Sequence, residues 1–391
     1  MQGVAAPWLV LQLTHSGVAL GIDTGLQFLP ILLFGAWGGL IADRFDNRRV
    51  LVFAQLAFAV PAFALWILDA TGVVQVWMVY VLSFVSGCVT AVDMPTRQSF
   101  YLEMVGPDDL TNAMSLTTAT FTGMRMIGPV IGGILIGTVG TAPVFLINGI
   151  SYLAVVAALL VMRVAELHPR ERVARAAGQI REGIRYTWRE PDLRLPMLTM
   201  AVVFLFSFNF AVLIPLFAVR DLSGDSTTMG WLWAFWGIGS LSGALYMASR
   251  ATRPNPRRLA LLAIAVGAAS IALAAAPSEG AAWALLVVIG FSGIAFAITG
   301  NSTLQLTSAP EFRGRVMALY TLIFLGSTPI GSFLAGLVGQ YLDARTGFVA
   351  GGVVAVAAGA CALVALARRA GAGVAAVTGP AAALADDGTL E

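Results

Sequence analysis

The chain is 391 residues long, 58% hydrophobic and 11% charged, with a mean hydropathy of +0.84 and a net charge of +2. Soluble domains run at about 45–50% apolar residues, so this composition excludes the soluble classes and points to membrane-spanning helices. Every one of the 23 lysine-or-arginine positions is arginine, which rules out a G-x-x-x-x-G-K-[ST] phosphate loop and with it an ATPase of that type.

In chain order the first element is MQGVAAPWLVLQL, an apolar piece running into the polar turn Thr14-His15-Ser16-Gly17. At about 20 residues per crossing it is too short to span. A secretory signal would carry a basic segment ahead of its apolar core, and none is present. The piece is read as the end of a first helix whose front part is missing, in preference to a genuinely short helix. Eleven full-length apolar runs follow, at 18–42, 50–68, 73–92, 110–137, 141–162, 196–219, 229–248, 258–276, 281–304, 314–339 and 346–367. The alternation of a barrel strand is absent from them. Both cysteines, Cys88 and Cys361, fall inside such runs and read as small packing residues.

Arginine placement sets the expected orientation. If the loops alternate sides, those at 43–49, 93–109, 163–195, 249–257 and 307–315, with the tail after 367, hold nineteen arginines, whereas the opposite loops hold only Arg220 and Arg345. The positive-inside rule puts the first set in the cytoplasm of an inner or plasma membrane. Both termini are then cytoplasmic, the number of crossings is even, and the opening piece counts as the first of twelve.

The longest polar stretch divides the spans six and six. The expected organisation is a bundle at 1–162, a linker at 163–195, a second bundle at 196–368 and a disordered tail at 369–391. Within the linker, GQIREGIRYTWRE sets Ile180, Ile184 and Trp188 on one face beside Arg181, Arg185 and Arg189. Two readings fit it: a helix lying apolar side down on the lipid surface, or a solvated linker helix. The halves repeat at an offset of 203 residues, pairing Pro107 with Pro310, Met114 with Met317 and Gly133 with Gly336. Such six-helix repeats in parallel orientation belong to one large class of secondary transporters, with the substrate path between the halves.

The charged knot GGLIADRFDNRRV at 38–50 carries a resemblance. Gly39, Asp43, Arg44, Arg48 and Arg49 match the loop signature between the second and third helices of the major facilitator superfamily, while Asp46 replaces its usual glycine and Asn47 its usual base. MPTRQSFYLEMVGPDDLTNAMSL, GPVIGG and APEFRGRVMALY resemble the exporter branch that includes the enterobactin exporter and macrolide-efflux carriers. The resemblance implies an all-α membrane protein of twelve helices in two bundles. It also implies that Asp43 reaches the positive N-terminus of the eleventh helix, beginning near Gly314, when the cytoplasmic side is closed. Gly39 would permit close helix approach. Arg44, Arg48 and Arg49 would bind acidic partners or headgroups, with Asp93 and Arg97 as candidate partners. The second copy has Met247 in place of the aspartate, so its latch is expected to be weak or absent.

Gly128, Pro129, Gly132 and Gly133 resemble the end of the antiporter signature of drug exporters, although Met124 and Ser115 occupy its upstream glycine positions. These residues read either as an export motif or as ordinary helix packing. Two charges lie well inside the spans. Arg125 could meet an anionic substrate group or a helix C-terminus, and Asp23 could carry a proton or attract a cation, or else reach the interface and be solvated. Better-known drug:proton antiporters keep an arginine where this chain has Ser83. Phe204, Phe206, Phe208 and Phe210 surround Asn209, and Trp231, Trp233, Phe235 and Trp236 follow. Spacing by two predicts that about one in four of these phenylalanines lines the cavity, with Asn209, Asn148, Gln27, Asn301 and Gln305 supplying hydrogen bonds.

The expected function is export of an amphipathic small molecule by a monomer, driven by an ion gradient, most simply protons. No enzyme chemistry, cofactor, metal or nucleic-acid partner is implied. Uptake of a metabolite by the same fold, or a nontransporting scaffold or receptor, are the alternatives.

Overall fold

The computed structural model describes residues 2–106, 109–164, 167–168, 179–249 and 255–378, with many side chains of the fifth helix, Arg125 among them, outside the description. Every regular element among the described residues is helical. The first half contains α1 (Gln2–Thr14), α2 (Gly17–Arg44), α3 (Asn47–Ala70), α4 (Val76–Val105), α5 (Leu110–Val139) and α6 (Thr141–Val161). The linker forms α7 (Gln179–Arg189). The second half contains α8 (Pro191–Ser207), α9 (Phe210–Leu216), α10 (Ser226–Ala248), α11 (Pro256–Ala274), α12 (Glu279–Thr307), α13 (Pro310–Tyr341) and α14 (Ala344–Thr378). Among the described residues, nine helical segments are long and apolar enough to cross a bilayer. The helices α5 and α10 occupy two further expected runs, with 30 and 23 residues.

Local chemistry places the boundaries. Ser16, Asp46, Asp225, Asn255 and Ser278 each accept a backbone N–H of the helix they precede, satisfying donors that lipid cannot. Gly106 (φ +72°) and Gly140 (φ +85°) end α4 and α5 in backbone conformations that a side chain would strain. The last helix runs to Thr378, past the expected end of its apolar run at 367.

The seventh span is not one helix. It breaks at Phe208–Asn209, resumes as α9 and ends in a π-helical turn over Phe217–Asp221. Pro215, inside α9, supplies no N–H and its ring crowds the carbonyl of residue 211. The Asn209 side-chain amide donates to the Leu205 carbonyl at 2.8 Å, replacing the helical bond lost there.

The hydrophobic core shows how the halves meet. Its largest buried cluster draws on α1, the starts of α2, α4, α6, α10, α12 and α14, the ends of α3, α5, α11 and α13, and all of α9. All of these lie at the end of the bundle away from the arginine-rich loops. At the arginine-rich end there are instead two separate clusters. One is Leu51, Phe100 and Leu159 of the first half; the other is built around Leu193, Phe204, Phe296 and Val316 of the second. Among the described residues, the halves therefore share one core at the arginine-poor end and have separate clusters at the other.

Candidate functional site

Two seams join the halves. In the first, α2 lies against α13: a Cβ on Gly21 would stand 2.5 Å from the Ser332 carbonyl oxygen, and one on Gly336 2.5 Å from that of Gly17. In the second, α5 lies against α10: a Cβ on Gly133 would stand 2.6 Å from the Ser226 carbonyl oxygen, and one on Gly230 3.1 Å from that of Pro129. Gly133 and Gly336 are the pair that the 203-residue repeat aligns, and each sits at the closest approach of its own seam. Within the Gly128-Pro129-x-x-Gly132-Gly133 stretch, Pro129 and Gly133 thus lie on the contact between halves, where Gly133 lets backbones touch.

A polar clasp closes the same end. The Arg220 guanidinium donates to the carbonyls of Gly339 (2.7 Å) and His15, and to Gln340 Oε1 (3.0 Å). Gln340 Oε1 also accepts the Gly17 N–H at 2.7 Å. In the sequence Arg220 registers only as an exception to the charge rule. Its use here depends on the α1–α2 turn coming to the end of the seventh span, which no local pattern announces.

The charged knot is spread over several tasks. Asp46 caps α3 by accepting the Arg49 N–H at 2.8 Å, which gives its presence in place of the family's glycine a physical reason. Asn47 donates to Glu103 at 2.6 Å. Arg48 donates to the carbonyls of Leu159 (2.7 Å) and Leu160 (3.0 Å), capping the end of α6 rather than holding an acidic side chain. The close helix approach falls at Gly38, where a Cβ would stand 1.9 Å from the Ala91 carbonyl oxygen; Gly39 beside it is buried. Asp93 and Arg97 pair with each other at 2.9 Å, and Gln55 donates to Asp93 at 2.9 Å. In the second copy, Met247 is buried and its sulfur accepts from Arg258 at 3.1 Å.

The eleventh helix starts at Pro310, a turn before the Gly314 expected from hydropathy. Its first turn is engaged by the linker: the Ala309 N–H donates to Tyr186 Oη (3.1 Å), Phe312 stacks on Tyr186 (4.3 Å), and Arg315 pairs with Glu182 (2.8 Å). The linker helix is therefore docked on the second half, with Ile184 and Trp188 on its exposed side.

Asp23 is only 3% exposed, so the reading in which it reaches the interface does not hold. Ser83 Oγ donates to its Oδ1 at 2.6 Å. In the sequence Ser83 registers only as a missing arginine. Asn148 bonds Gln2 at 2.6 Å and also Tyr152, while Asn301 bonds Gln305 at 2.5 Å and also Tyr320. The Gln27 carbonyl meets the close approach of Gly87. Of the four phenylalanines, Phe204 and Phe210 are buried, Phe208 is half-buried and Phe206 is exposed. Phe204 lies at the centre of a cluster with Phe208 (4.9 Å), Phe296 (5.7 Å), Tyr320 (6.4 Å) and Phe324 (4.8 Å). Phe235 stacks on Trp283 at 5.1 Å, within the shared core.

A membrane bundle of two repeat-related halves with glycine seams between them is the geometry against which known proteins can be set. The family model described as transmembrane secretion effector matches residues 1–378. The chain belongs to this family, within the exporter branch of the major facilitator superfamily. It is 28% identical over 359 residues to the multidrug efflux pump Tap of Mycolicibacterium fortuitum, covering 89% of this chain and 87% of that one. It is 24% identical over 350 residues to the enterobactin exporter EntS of Shigella flexneri, covering 87% and 81%. Among solved structures, the nucleoside transporter NupG superposes with a TM-score of 0.71 at 12% identity, covering 93% of this chain and 93% of that one, which supports the all-α major facilitator fold. The protein is a multi-pass membrane transporter.

Proposed function

We propose that the protein exports an amphipathic small molecule, drug-like or siderophore-like, by alternating access in a bacterial-type inner membrane, coupled to the proton gradient. The supporting observation is the distribution of the core: among the described residues, one cluster spans both halves at the arginine-poor end, while two clusters stay apart at the arginine-rich end. With the arginine-rich loops cytoplasmic, as the positive-inside rule expects, this is the state that accepts substrate from the cytoplasm. Packed interfaces of this kind exchange between discrete states more readily than they deform. The names of Tap and EntS support export of drug-like or siderophore-like solutes.

On this reading both termini are cytoplasmic and the monomer is the transporting unit. The cavity between the 1–162 and 196–368 bundles takes the solute against the Phe204 cluster, with hydrogen bonds from Asn301, Gln305 and Asn148. Asp43, Gly39, Arg44 and Arg49, with Asp93 and Arg97, form the latch of the opposite state, in which the cytoplasmic end is shut. The test is accumulation of a macrolide, a cationic dye and a catecholate siderophore in efflux-deficient cells, with and without a protonophore and beside Asp43→Asn. Lower accumulation that protonophore and Asp43→Asn both reverse is the expected result. Equal accumulation with and without the protein, once its presence in the membrane is verified, refutes export.

A further inference from the structure

We infer that Arg345 is the positioning residue of the Arg220 clasp: it fixes the turn that carries Arg220, and closure of the arginine-poor end depends on it through that turn. Its part in transport rests on the alternating-access reading. Arg220 and Arg345 are the two arginines of the arginine-poor loops, and the structure brings them to the same pair of segments. Arg220 lies within the π-helical turn Phe217–Asp221 and reaches forward to Gly339 and Gln340 at the end of α13. Arg345, in the first turn of α14, reaches back to that turn. Its Nε pairs with Asp221 Oδ1 at 3.3 Å, and its guanidinium carbon lies 5.7 Å from the centre of the Phe217 ring, within range of a cation–π contact.

These contacts hold both ends of the turn. Phe217 is its first residue and Asp221 its last, so an arginine held against both restricts where Arg220, one position before Asp221, can point. Phe217 is fully buried in the core that the halves share, and it packs edge-on against Phe348 of α14 at 5.6 Å. Arg345 Nη1 also donates to the Ala274 carbonyl at the end of α11, at 2.8 Å. The hub therefore ties α11, α14 and the end of the seventh span together inside the second half, whereas the bond from Arg220 to the His15 carbonyl is made to the first. The Asp221 side chain is only 9% exposed, in contrast to the exposed Arg220, and a partly buried pair is screened less than one in solvent. Without Arg345, Asp221 would be left buried in electrostatic contact with the Asp343 carboxylate. A buried charge that has lost its partner is strongly unfavourable, and moving the turn toward water relieves it.

The test is a double-mutant cycle on the open-to-closed ratio of the arginine-poor end, and its first arm needs no solute. Spin labels at Thr71, which is exposed, and at Gly280, where a side chain meets nothing within 4 Å, report the ratio between halves in nanodiscs, with Cys88 and Cys361 replaced by alanine. Arg345→Ala is expected to raise the ratio at least about fivefold when Arg220 is present. When Arg220 is already alanine, the same substitution should change it by less than about twofold. Asp221→Asn, which removes the charge and keeps the size, gives the same pattern and serves where Arg345→Ala fails to fold. Arg345→Lys, which keeps the charge, recovers part of the closed population. A residue that merely braces the second half would lower the unfolding temperature without moving the ratio, or would move it equally with and without Arg220. Either result in a folded Arg345→Ala or Asp221→Asn protein overturns the inference.

The second arm is accumulation of the solute panel in efflux-deficient cells. The expected cycle with no export of any panel solute upholds the inference and refutes export. Export by a protein whose ratio ignores Arg345 overturns the inference and leaves export standing.

Discussion

Arg220→Ala removes the clasp at the arginine-poor end, and its effect can be sized from the bonds it makes. Three acceptors are involved, but Gly339 and Gln340 belong to the same half as Arg220. Only the bond to the His15 carbonyl crosses between halves directly. A second crossing bond, from the Gly17 N–H to Gln340, depends on Arg220 to hold the Gln340 amide in place. A hydrogen bond from a charged donor contributes about 1.5–3 kcal/mol when buried; Arg220 is exposed, which reduces its share to about 1–2 kcal/mol. Loosening Gln340 adds about 0.5–1 kcal/mol, for a total near 1.5–3 kcal/mol. At about 1.4 kcal/mol per factor of ten, the open-to-closed ratio of this end rises roughly 10- to 150-fold. Distance distributions between labels at Thr71 and Pro277 read that ratio directly. Arg220→Lys recovers part of the closed population, since one ammonium cannot fork to three acceptors. An Arg220→Ala protein that is folded, with a distribution within about twofold of wild type, refutes this account of the clasp.

Three further outcomes are expected. Gly133→Val places a side chain where even a Cβ would be 2.6 Å from the Ser226 carbonyl oxygen, so the second seam cannot close; the label distance should lengthen and export fall at least about tenfold, with Gly336→Val doing the same at the first seam. Asp46→Ala removes the α3 cap and should cost about 0.5–2 kcal/mol in denaturant or thermal unfolding of the solubilised protein, with Asp46→Asn close to wild type. Asp343 caps the start of α14, and hydrogen bonds from the Thr346 side chain and N–H hold its carboxyl below the ordinary value of 3.8. Its contribution to stability is fully present above about pH 4 and lost as pH falls through the lowered value, so Asp343→Asn should flatten the acid limb of a thermal melting profile.

The sequence makes the spans legible because hydropathy over about 20 residues is a local property: ten of the eleven long apolar runs are each met by one helix, and the run at 196–219 by a broken one. Glycine placement is legible to a lesser degree: the repeat pairs Gly133 with Gly336, but that each lies on a contact between halves depends on which helices become neighbours. The roles of Arg48, Arg220 and Ser83 are not legible. Arg48 reaches carbonyls over a hundred positions away and Arg220 one more than two hundred away, and neither partner carries a side-chain signal. Ser83 looks like the loss of an arginine until Asp23 is seen beside it. The break in the seventh span is masked by its continuous apolar character, and nothing local announces that the Asn209 side chain takes the Leu205 carbonyl.

The two seams also bear on how the transporter would cycle. Gly133 and Gly336 are equivalent by the repeat, and so are the helix pairs they join, α5 with α10 and α13 with α2. Related by that symmetry, the seams share one rotation of half against half, and one cannot part while the other stays closed without bending a helix. No such equivalence holds at the arginine-rich end. The first half presents Asp43 in the last turn of α2, whereas the second presents Met247, buried and bonded through sulfur to Arg258. The linker helix adds a further difference, because it docks on the first turn of α13 through Tyr186 and Glu182. On the proposed reading, closure of the cytoplasmic end is governed by one charged latch, while closure of the opposite end is shared between two glycine seams and the Arg220 clasp. Removing Asp43 should therefore bias the cycle toward the state described here, and removing Arg220 should bias it away. A protein carrying both substitutions should return toward the wild-type balance, because the two act on opposite sides of one equilibrium.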